Sequence, residues 1–412
     1  MSMPTPGEVT IRQLSVNGTD LAPYVYELSI YESIFKPFRA AEVTITDTNN
    51  VMKNLQIKGN EDVEMSIEAA GEIYTAKFKV LSPENGNSSQ NMRIQALKLN
   101  LVSEIFLKNK TTTVQKSFKN ITGSDAVKKI FDELGVKGNL DASSSKGMIG
   151  ENEPYIVSNL NPFEAIHGIR TRITGDKYKT GAYCFFEDKE GNYIFKQLEE
   201  LFDNLSPTAK FTHKSTQGSN IKDMEGQSYN IIGFQETTSF SPGGRFDIGD
   251  VMNSRKSAQV STYSTSEAKF NKGQVKDPSE GKKAGQFTVN DNYGSSGKPR
   301  STTIIPHDKR LEKNSVQAEK SADEQRFIQE VKNGPQCTIQ VLMDSGIKCT
   351  VGKGVSADIQ QPIGDMTTAQ SGSPVGGDML VVNLRHHIKM YNAKPKATTI
   401  LELAKGGYNK GT

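Results

Sequence analysis

Five histidines stand in the 412 residues: His167, His213, His307, His386 and His387. A metal site needs convergent His, Cys or carboxylate ligands. His386 and His387 are neighbours, so on a strand they point to opposite faces. That pair reads as a strand edge at an interface rather than as two ligands. His167 lies in the run HGIR without the HExxH partner of a zinc helix, and reads as a surface or packed residue. Glu32, Asp47 and Asp62 fall in one β-like region, where a glycosidase-type pair would require two of them to converge. Solvated strand and turn positions are the plainer reading. The chain has no GxSxG nucleophile motif and no GxxxxGK[ST] phosphate loop. Gly243-Gly244 and Ser371-Gly372-Ser373 lack the strand-to-helix context of a phosphate cradle. With no Trp, a sugar-stacking platform would rest on Tyr and Phe. Cys184, Cys337 and Cys349 lack CxxC spacing and sit in or beside strand-like runs, as buried free thiols of a reduced cytosolic product do. The sequence therefore predicts no catalytic, cofactor-binding or metal-binding residue and no cofactor.

The totals narrow the class further. Fifty basic and 47 acidic residues leave a formal net charge of +3, against a strong electrostatic commitment to nucleic acid. Lys108 with Lys110 and Lys282 with Lys283 are short basic clusters in predicted loops. No apolar run approaches the roughly 18–20 residues that span a bilayer. Met1–Glu8 has neither the basic head nor the apolar core of a signal peptide. The chain is too long for one ordinary core, which predicts about two to four domains.

The elements that must position these residues are mainly strands. Val43 and Ile45 alternate with Thr44 and Thr46. Val63, Met65 and Ile67 alternate with Glu64 and Ser66, and Tyr74, Ala76, Phe78 and Val80 with Thr75, Lys77 and Lys79. Period-two alternation puts each apolar set on one face of a half-buried antiparallel strand. Turn-forming residues at Asp47–Asn50, Lys58–Asn60 and Ala70–Glu72 break the runs. Val9, Ile11 and Leu14 make a first strand ending at the turn Asn17-Gly18. Met92, Ile94, Leu97 and Leu99 make another that continues to about Phe106. Residues 1–110 thus predict a first β domain, a sheet that curls into a barrel or sandwich.

Residues 111–205 read as a small α+β domain. Val127, Ile130, Phe131 and Leu134 share a helical face between Ser124 as N-cap and Gly135 as stop. Residues 139–153 read as a loop. Asn161-Pro162 opens a second helix with Phe163, Ile166 and Ile169 on its apolar face. Tyr183–Phe186 and Tyr193–Phe195 form a hairpin about Asp188–Asn192. Residues 206–245 and 333–412 predict a second, discontinuous barrel. Its strands run at Tyr229–Phe240, where Tyr229, Ile231, Ile232 and Phe234 form a buried run, and at Thr338–Met343, Lys348–Val355, Leu380–His386 and Thr398–Leu403. Residues 246–332 predict a loop-rich insertion, poor in large apolar residues over 246–315, with a helix near 315–332 capped by Ser321 and Glu324.

The pattern YESIFKPFRAAEVTITDTNN, LQIKGNEDVEMSI, YTAKFKVL and ALKLNLVSEI resembles the opening domain of phage baseplate hub proteins. The matching residues are Tyr31–Pro37, Val43–Asp47 and Gly59–Val63. SFKNITGSDAVKKIFDELG, NPFEAIHGIRTRI and AYCFFEDKEGNYIF are similar to that family's middle domain. CTVGKGVSADI, GGDMLVVNLRHHIKM and TTILEL resemble its second tube-like domain. The resemblance leaves out about 246–315. It implies a mainly β fold with α+β, holding two tail-tube-like β-barrels, and a structural role rather than an enzymatic one. The implied assembly is a homotrimer with pseudo-sixfold symmetry. Its partners would be the tail tube protein, the central spike protein, wedge proteins of the baseplate and tape-measure proteins, with DNA only in transit and no stable membrane insertion. Such a ring needs a head-to-tail interface, on the order of 2,000 Å² or more. Its place would be the virion baseplate, after synthesis in the host cytoplasm. The chain closes at Gly406-Gly407-Tyr408, which carries the expectation that the spike is a separate chain. Three readings stand beside this one: the hub of a contractile injection system unrelated to an infecting phage, a wall-degrading enzyme of a tail tip, and a monomeric carbohydrate-binding β protein.

Overall fold

The computed structural model describes residues 9–47, 55, 57–85, 95–146, 148–151, 153–176, 182–213, 228–236, 240–241, 244–245, 258–264, 269–272, 301–307, 337–359, 377–391 and 394–404. Over these residues the chain is mainly β-sheet with short helices. The first β unit comprises β1 (Val9–Val16), β2 (Thr19–Asp20), β3 (Val25–Ser33), β4 (Ala40–Asp47), β5 (Asp62–Ala69), β6 (Glu72–Asn85) and β7 (Gln95–Val102). They pair antiparallel in the order β2-β1-β5-β6-β7-β4-β3. Alternation sets the register. Val63, Met65 and Ile67 lie opposite Phe78, Ala76 and Tyr74, all buried, while Glu64 and Lys77 face solvent and form an ion pair. Asn17 and Gly18 both take positive φ, 48° and 82°, as the two-residue turn between Val16 and Thr19 requires. The strand expected to reach Phe106 stops at Val102, because residues 104–111 form helix α1 (Glu104–Thr111). Met92 and Ile94 lie outside the described residues.

The middle unit comprises β8 (Val114–Phe118), β9 (Ile121–Thr122), α2 (Gly123–Leu134), β10 (Leu140–Ala142), β11 (Ser145–Lys146), β12 (Met148–Ile149), β13 (Tyr155–Leu160), α3 (Pro162–Arg170), β14 (Thr174–Gly175), β15 (Tyr183–Glu187), β16 (Tyr193–Gln197) and α4 (Leu198–Asp203). Thr122, not Ser124, caps α2: its hydroxyl accepts from the Asp125 N–H at 3.2 Å, while Ser124 Oγ donates to the Ser143 carbonyl. Gly135, at φ 56°, ends the helix. Asn161 and Glu164 cap α3 reciprocally, with Pro162 at the first helical position. Residues 139–153, expected as a loop, contain β10, β11 and β12. Their backbone groups are paired with β16, β14 and β9 despite the small side chains.

After the middle unit come β17 (Pro207–His213), β18 (Ser228–Glu236), β19 (Phe240–Ser241), β20 (Gly244–Arg245), β21 (Ala258–Ser264), β22 (Lys269–Lys272), β23 (Ser301–His307), β24 (Cys337–Leu342), α5 (Met343–Gly346), β25 (Gly354–Ile359), β26 (Gly377–Tyr391) and β27 (Lys394–Ala404). The second β unit runs β26-β25-β17-β18-β24-β27, and β27 returns to β26 to close the barrel. Several expectations need correction here. Ile232 is 51% exposed, because it alternates with buried Ile231. Residues 348–353 are a turn rather than the start of a strand. Gly352 has φ +78°, and a Cβ there would stand 2.5 Å from the Phe186 ring, so the strand begins only at Gly354. His386 and His387 are not on an edge: β26 is paired with β27 on one side and β3 on the other. The loop-rich insertion contains strands. β21 pairs antiparallel with β22 and parallel with β23, since backbone ladders need no large apolar residues. The helix expected near 315–332, with its Ser321 and Glu324 cap, lies outside the described residues.

The three units are joined by exchange of core residues. β3 pairs antiparallel with β26, from Glu27↔Lys389 to Ser33↔Asn383, so both β units share one sheet. Ile34, just past β3, is buried in the second unit's core, and Phe35 packs against it. Met343, Ile347, Ile388 and Ala397 of the second unit are buried in the first unit's core. Phe38 packs on the middle core and meets the Phe106 ring at 4.6 Å. β15 is buried on both faces: Tyr183 and Phe185 enter the middle core, Cys184 and Phe186 the second. Ile34→Ala and Met343→Ala should each lower the unfolding free energy by roughly 2–5 kcal/mol. Chemical denaturation checks this, and losses within about 0.5 kcal/mol would mean that neither side chain closes the neighbouring core.

Candidate functional site: a buried junction of three cores

Between Ile34 and β4 the chain must turn where three units meet, and Arg39 ends that turn. Its residue is 4% exposed, as is Glu187 at the end of β15. Arg39 Nε and Nη2 donate to Glu187 Oε1 at 3.0 and 2.9 Å, and the Arg39 backbone N–H donates to Oε2 at 3.2 Å. Nη1 donates to the Tyr74 hydroxyl at 3.2 Å and the Lys189 carbonyl at 3.0 Å. The guanidinium lies 5.7 Å from the Phe78 ring centre. Each carbon and nitrogen of this planar group has a partner, as a buried charge requires.

Glu32 completes the junction from β3. It shares the inward face with Leu28 and Ile30, and is 2% exposed. Tyr74 Oη donates to its Oε1 at 3.4 Å, and Thr350 Oγ1 donates to its Oε2 at 3.1 Å. The Val351 N–H also bonds this carboxyl. Burial pushes Glu32 up to about 7, against the pull of Arg39 and of the hydrogen bonds from Thr350, Val351 and Tyr74. Burial also raises Tyr74. Arg39 is held above its ordinary value, because Tyr74, Glu187 and Glu32 outweigh its burial. The Lys189 N–H donates to Thr350 Oγ1 at 3.3 Å, tying the middle unit's turn to the second unit.

His386 lies behind Tyr74, ring centres 5.6 Å apart in an edge-on arrangement. It is fully buried, its Nδ1 sits 2.9 Å from Thr399 Oγ1, and its Nε2 has no partner among the described residues. Burial, then Lys189, lower its pKa to about 3, so it is neutral. His387 points to the opposite face, beside Ser29 and 3.6 Å from Glu27. His167 Nδ1 accepts from Arg170 Nη2 at 3.0 Å near the end of α3, and burial, Arg170 and Arg172 lower its pKa. His213 and His307 end β17 and β23.

The carboxylates weighed as a pair do not share one environment. Glu32 is in the junction, not solvated as expected, because its strand phase turns it inward. Asp62 forms a surface ion pair with Lys79 at 2.8 Å, and Asp47 ends β4. Cys184, Cys337 and Cys349 are buried free thiols, and burial pushes Cys184 and Cys349 up to about 12. Among the described residues no three His, Cys, Asp or Glu side chains are grouped to hold a metal ion. Nor is any described helix long and apolar enough to cross a membrane.

The junction itself escaped sequence reasoning. Its one signal was phase: Glu32 continues the inward series Leu28, Ile30, as Tyr74 does with Ala76 and Phe78. The distance in sequence between Arg39 and Glu187 hides their pairing.

No family model matches the chain, and no curated protein matches it. Solved structures do. The tail protein from Neisseria meningitidis MC58 is 13% identical with a TM-score of 0.59, over 96% of this chain and 96% of that one. The 43 kDa tail protein of prophage MuSo2 from Shewanella oneidensis is 11% identical with a TM-score of 0.55, over 97% of this chain and 98% of that one. The chain has the β-rich fold of these tail proteins, as the resemblance implied a mainly β fold.

Removing one partner of the Arg39–Glu187 pair should be far worse than removing both. Arg39→Met or Glu187→Met alone should cost roughly 3–5 kcal/mol, and the double variant much less than their sum. A double-mutant cycle by urea unfolding measures this; additive losses would show that the pair is not coupled.

Proposed function

We propose that this chain is a structural tail hub. Three copies form a ring that joins the hexameric tail tube to the trimeric central spike and leaves a channel for DNA. The observation that carries this reading is the β3–β26 ladder, which builds two β units into one sheet within one chain. Two units per chain, three times over, present six similar positions around an axis that is itself threefold. Such a ring matches a sixfold tube on one side and a threefold spike on the other. The domain division that goes with it is residues 1–110 and the discontinuous 206–245 with 333–412 as tube-like barrels, 111–205 as the middle domain and 246–332 as the insertion.

The tail-protein fold supports the reading, as does the outward surface of the first unit. Arg12–Glu68, Lys77–Glu64, Lys79–Asp62 and Lys98–Glu42 pair opposite charges between neighbouring strands. A wall of paired charges, on a chain of net charge +3, holds a phosphate backbone weakly. The role is mechanical, in the virion tail, with wedge and tape-measure proteins as further neighbours.

The test is solution mass by light scattering over a concentration series, alone and with the candidate spike protein. A mass of three protomers, alone or on adding the spike, is expected. A monomer that persists in both conditions would overturn the ring.

A further inference from the structure

The junction holds two buried carboxylates, Glu32 and Glu187, and one guanidinium. All of the guanidinium's bonds go elsewhere than Glu32: Nε and Nη2 to Glu187, Nη1 to Tyr74 and Lys189. Among the described residues Glu32 receives only neutral donors, Tyr74 from the first unit and Thr350 and Val351 from the second. A neutral carboxyl can accept from these groups and also donate back to either hydroxyl. An ionised Glu32 would be a second buried anion beside a cation already matched by Glu187.

Its position makes this charge mechanical. Glu32 lies in the second pair from the end of the β3–β26 ladder, opposite Leu384, and the ladder stops at Ser33↔Asn383. Beyond it comes the 34–39 turn, whose Ile34, Phe38 and Arg39 reach the second core, the middle core and Glu187. Fraying two pairs and unseating that turn brings Glu32 to water. His386 pairs with Ile30, further inside, and stays covered.

We propose that Glu32 is a proton-gated latch: the 34–39 turn stays seated among the three cores while Glu32 holds its proton, and loosens when the proton leaves. The titratable groups around Glu32 are Arg39 from the turn, Tyr74 from β6 and Cys349 from the second unit; Glu187 lies beyond Arg39 and Tyr74, and Lys189 acts on Cys349 and on neutral His386. The Arg39 charge is bonded to Glu187 rather than to Glu32. The latch sets how firmly the three units move as one body, and it stands whether or not the chain forms a ring.

The sign follows from the proton. Water-exposed Glu32 titrates near its ordinary 4.5, and the seated residue near about 7. The seated form therefore keeps its proton longer. Its advantage is full below the lower value and is lost as pH rises toward the upper one, with the opening constant growing by up to about tenfold per pH unit.

Hydrogen exchange of the full chain, corrected for intrinsic rate, tests this on peptides covering 32–40 and 346–353. Opening should increase about 40-fold from about pH 5 to about pH 7 and level off above about pH 8. Glu32→Gln should abolish that rise, and His386→Gln should leave it in place. A flat wild-type profile, or the same rise in Glu32→Gln, overturns the proposal. Should Glu32→Gln fail to fold, Thr350→Val replaces it. Losing a donor to the carboxylate should move the levelling-off to higher pH, and an unmoved profile counts against the latch.

Discussion

A guanidinium buried among three hydrophobic cores is the constraint on which the rest of this structure depends. Arg39 cannot be dry without a carboxylate, and Glu187 reaches it only if β15 is held against the 34–39 turn. That requirement fixes the middle unit against the first β unit. The Lys189 carbonyl and N–H, bonded to Arg39 and Thr350, extend the same restraint into the second unit. The pair therefore acts as a register mark for three units that the chain folds from separate stretches.

The magnitudes separate what specifies from what stabilises. A buried ion pair returns little net energy once the desolvation of both ions is counted. Each fully buried large aliphatic side chain contributes about 1.5–3 kcal/mol. Ile34, Met343, Ile347 and Ile388, exchanged between the two β units, therefore supply most of the adhesion, and the continuous β3–β26 ladder supplies alignment. The apolar contacts alone would tolerate small slips. A bidentate guanidinium and carboxylate do not, because a displaced partner leaves an uncompensated charge.

The strands were legible in the sequence because half-buried sheets write period two into it. β4, β5, β6 and the Tyr183–Tyr193 hairpin follow directly from that alternation, and α3 from its Asn-Pro start. What the sequence concealed depended on distant partners. Ser124 has the chemistry of a cap, yet Thr122 holds that position and Ser124 turns to the Ser143 carbonyl. Gly352 reads as part of a strand, yet it gives way to the Phe186 ring, which lies far off in the chain. β26 carries a bulge between Val381 and Asn383, so Val381 and Val382 are both buried and simple alternation fails there. Glu32 was visible by phase, but a carboxylate in an inward series has meaning only once Tyr74 and Thr350 are seen beside it.

The same reasoning explains how a fold can persist at 13% identity. Inward positions on these strands ask only for an apolar side chain of suitable size, and many sequences meet that demand. Close approaches are stricter: no side chain fits at Gly352, nor at Gly346, where a Cβ would come 2.4 Å from Thr399. Outward positions are bound by neither rule. Along β5 and β6 they carry Glu64, Lys77, Asp62 and Lys79, whose exchange for other polar residues leaves the core untouched. The inward face thus holds the architecture, and the outward face is free to be shaped by whatever the chain assembles with. Partner recognition in this fold belongs to the residues that the alternation leaves pointing out.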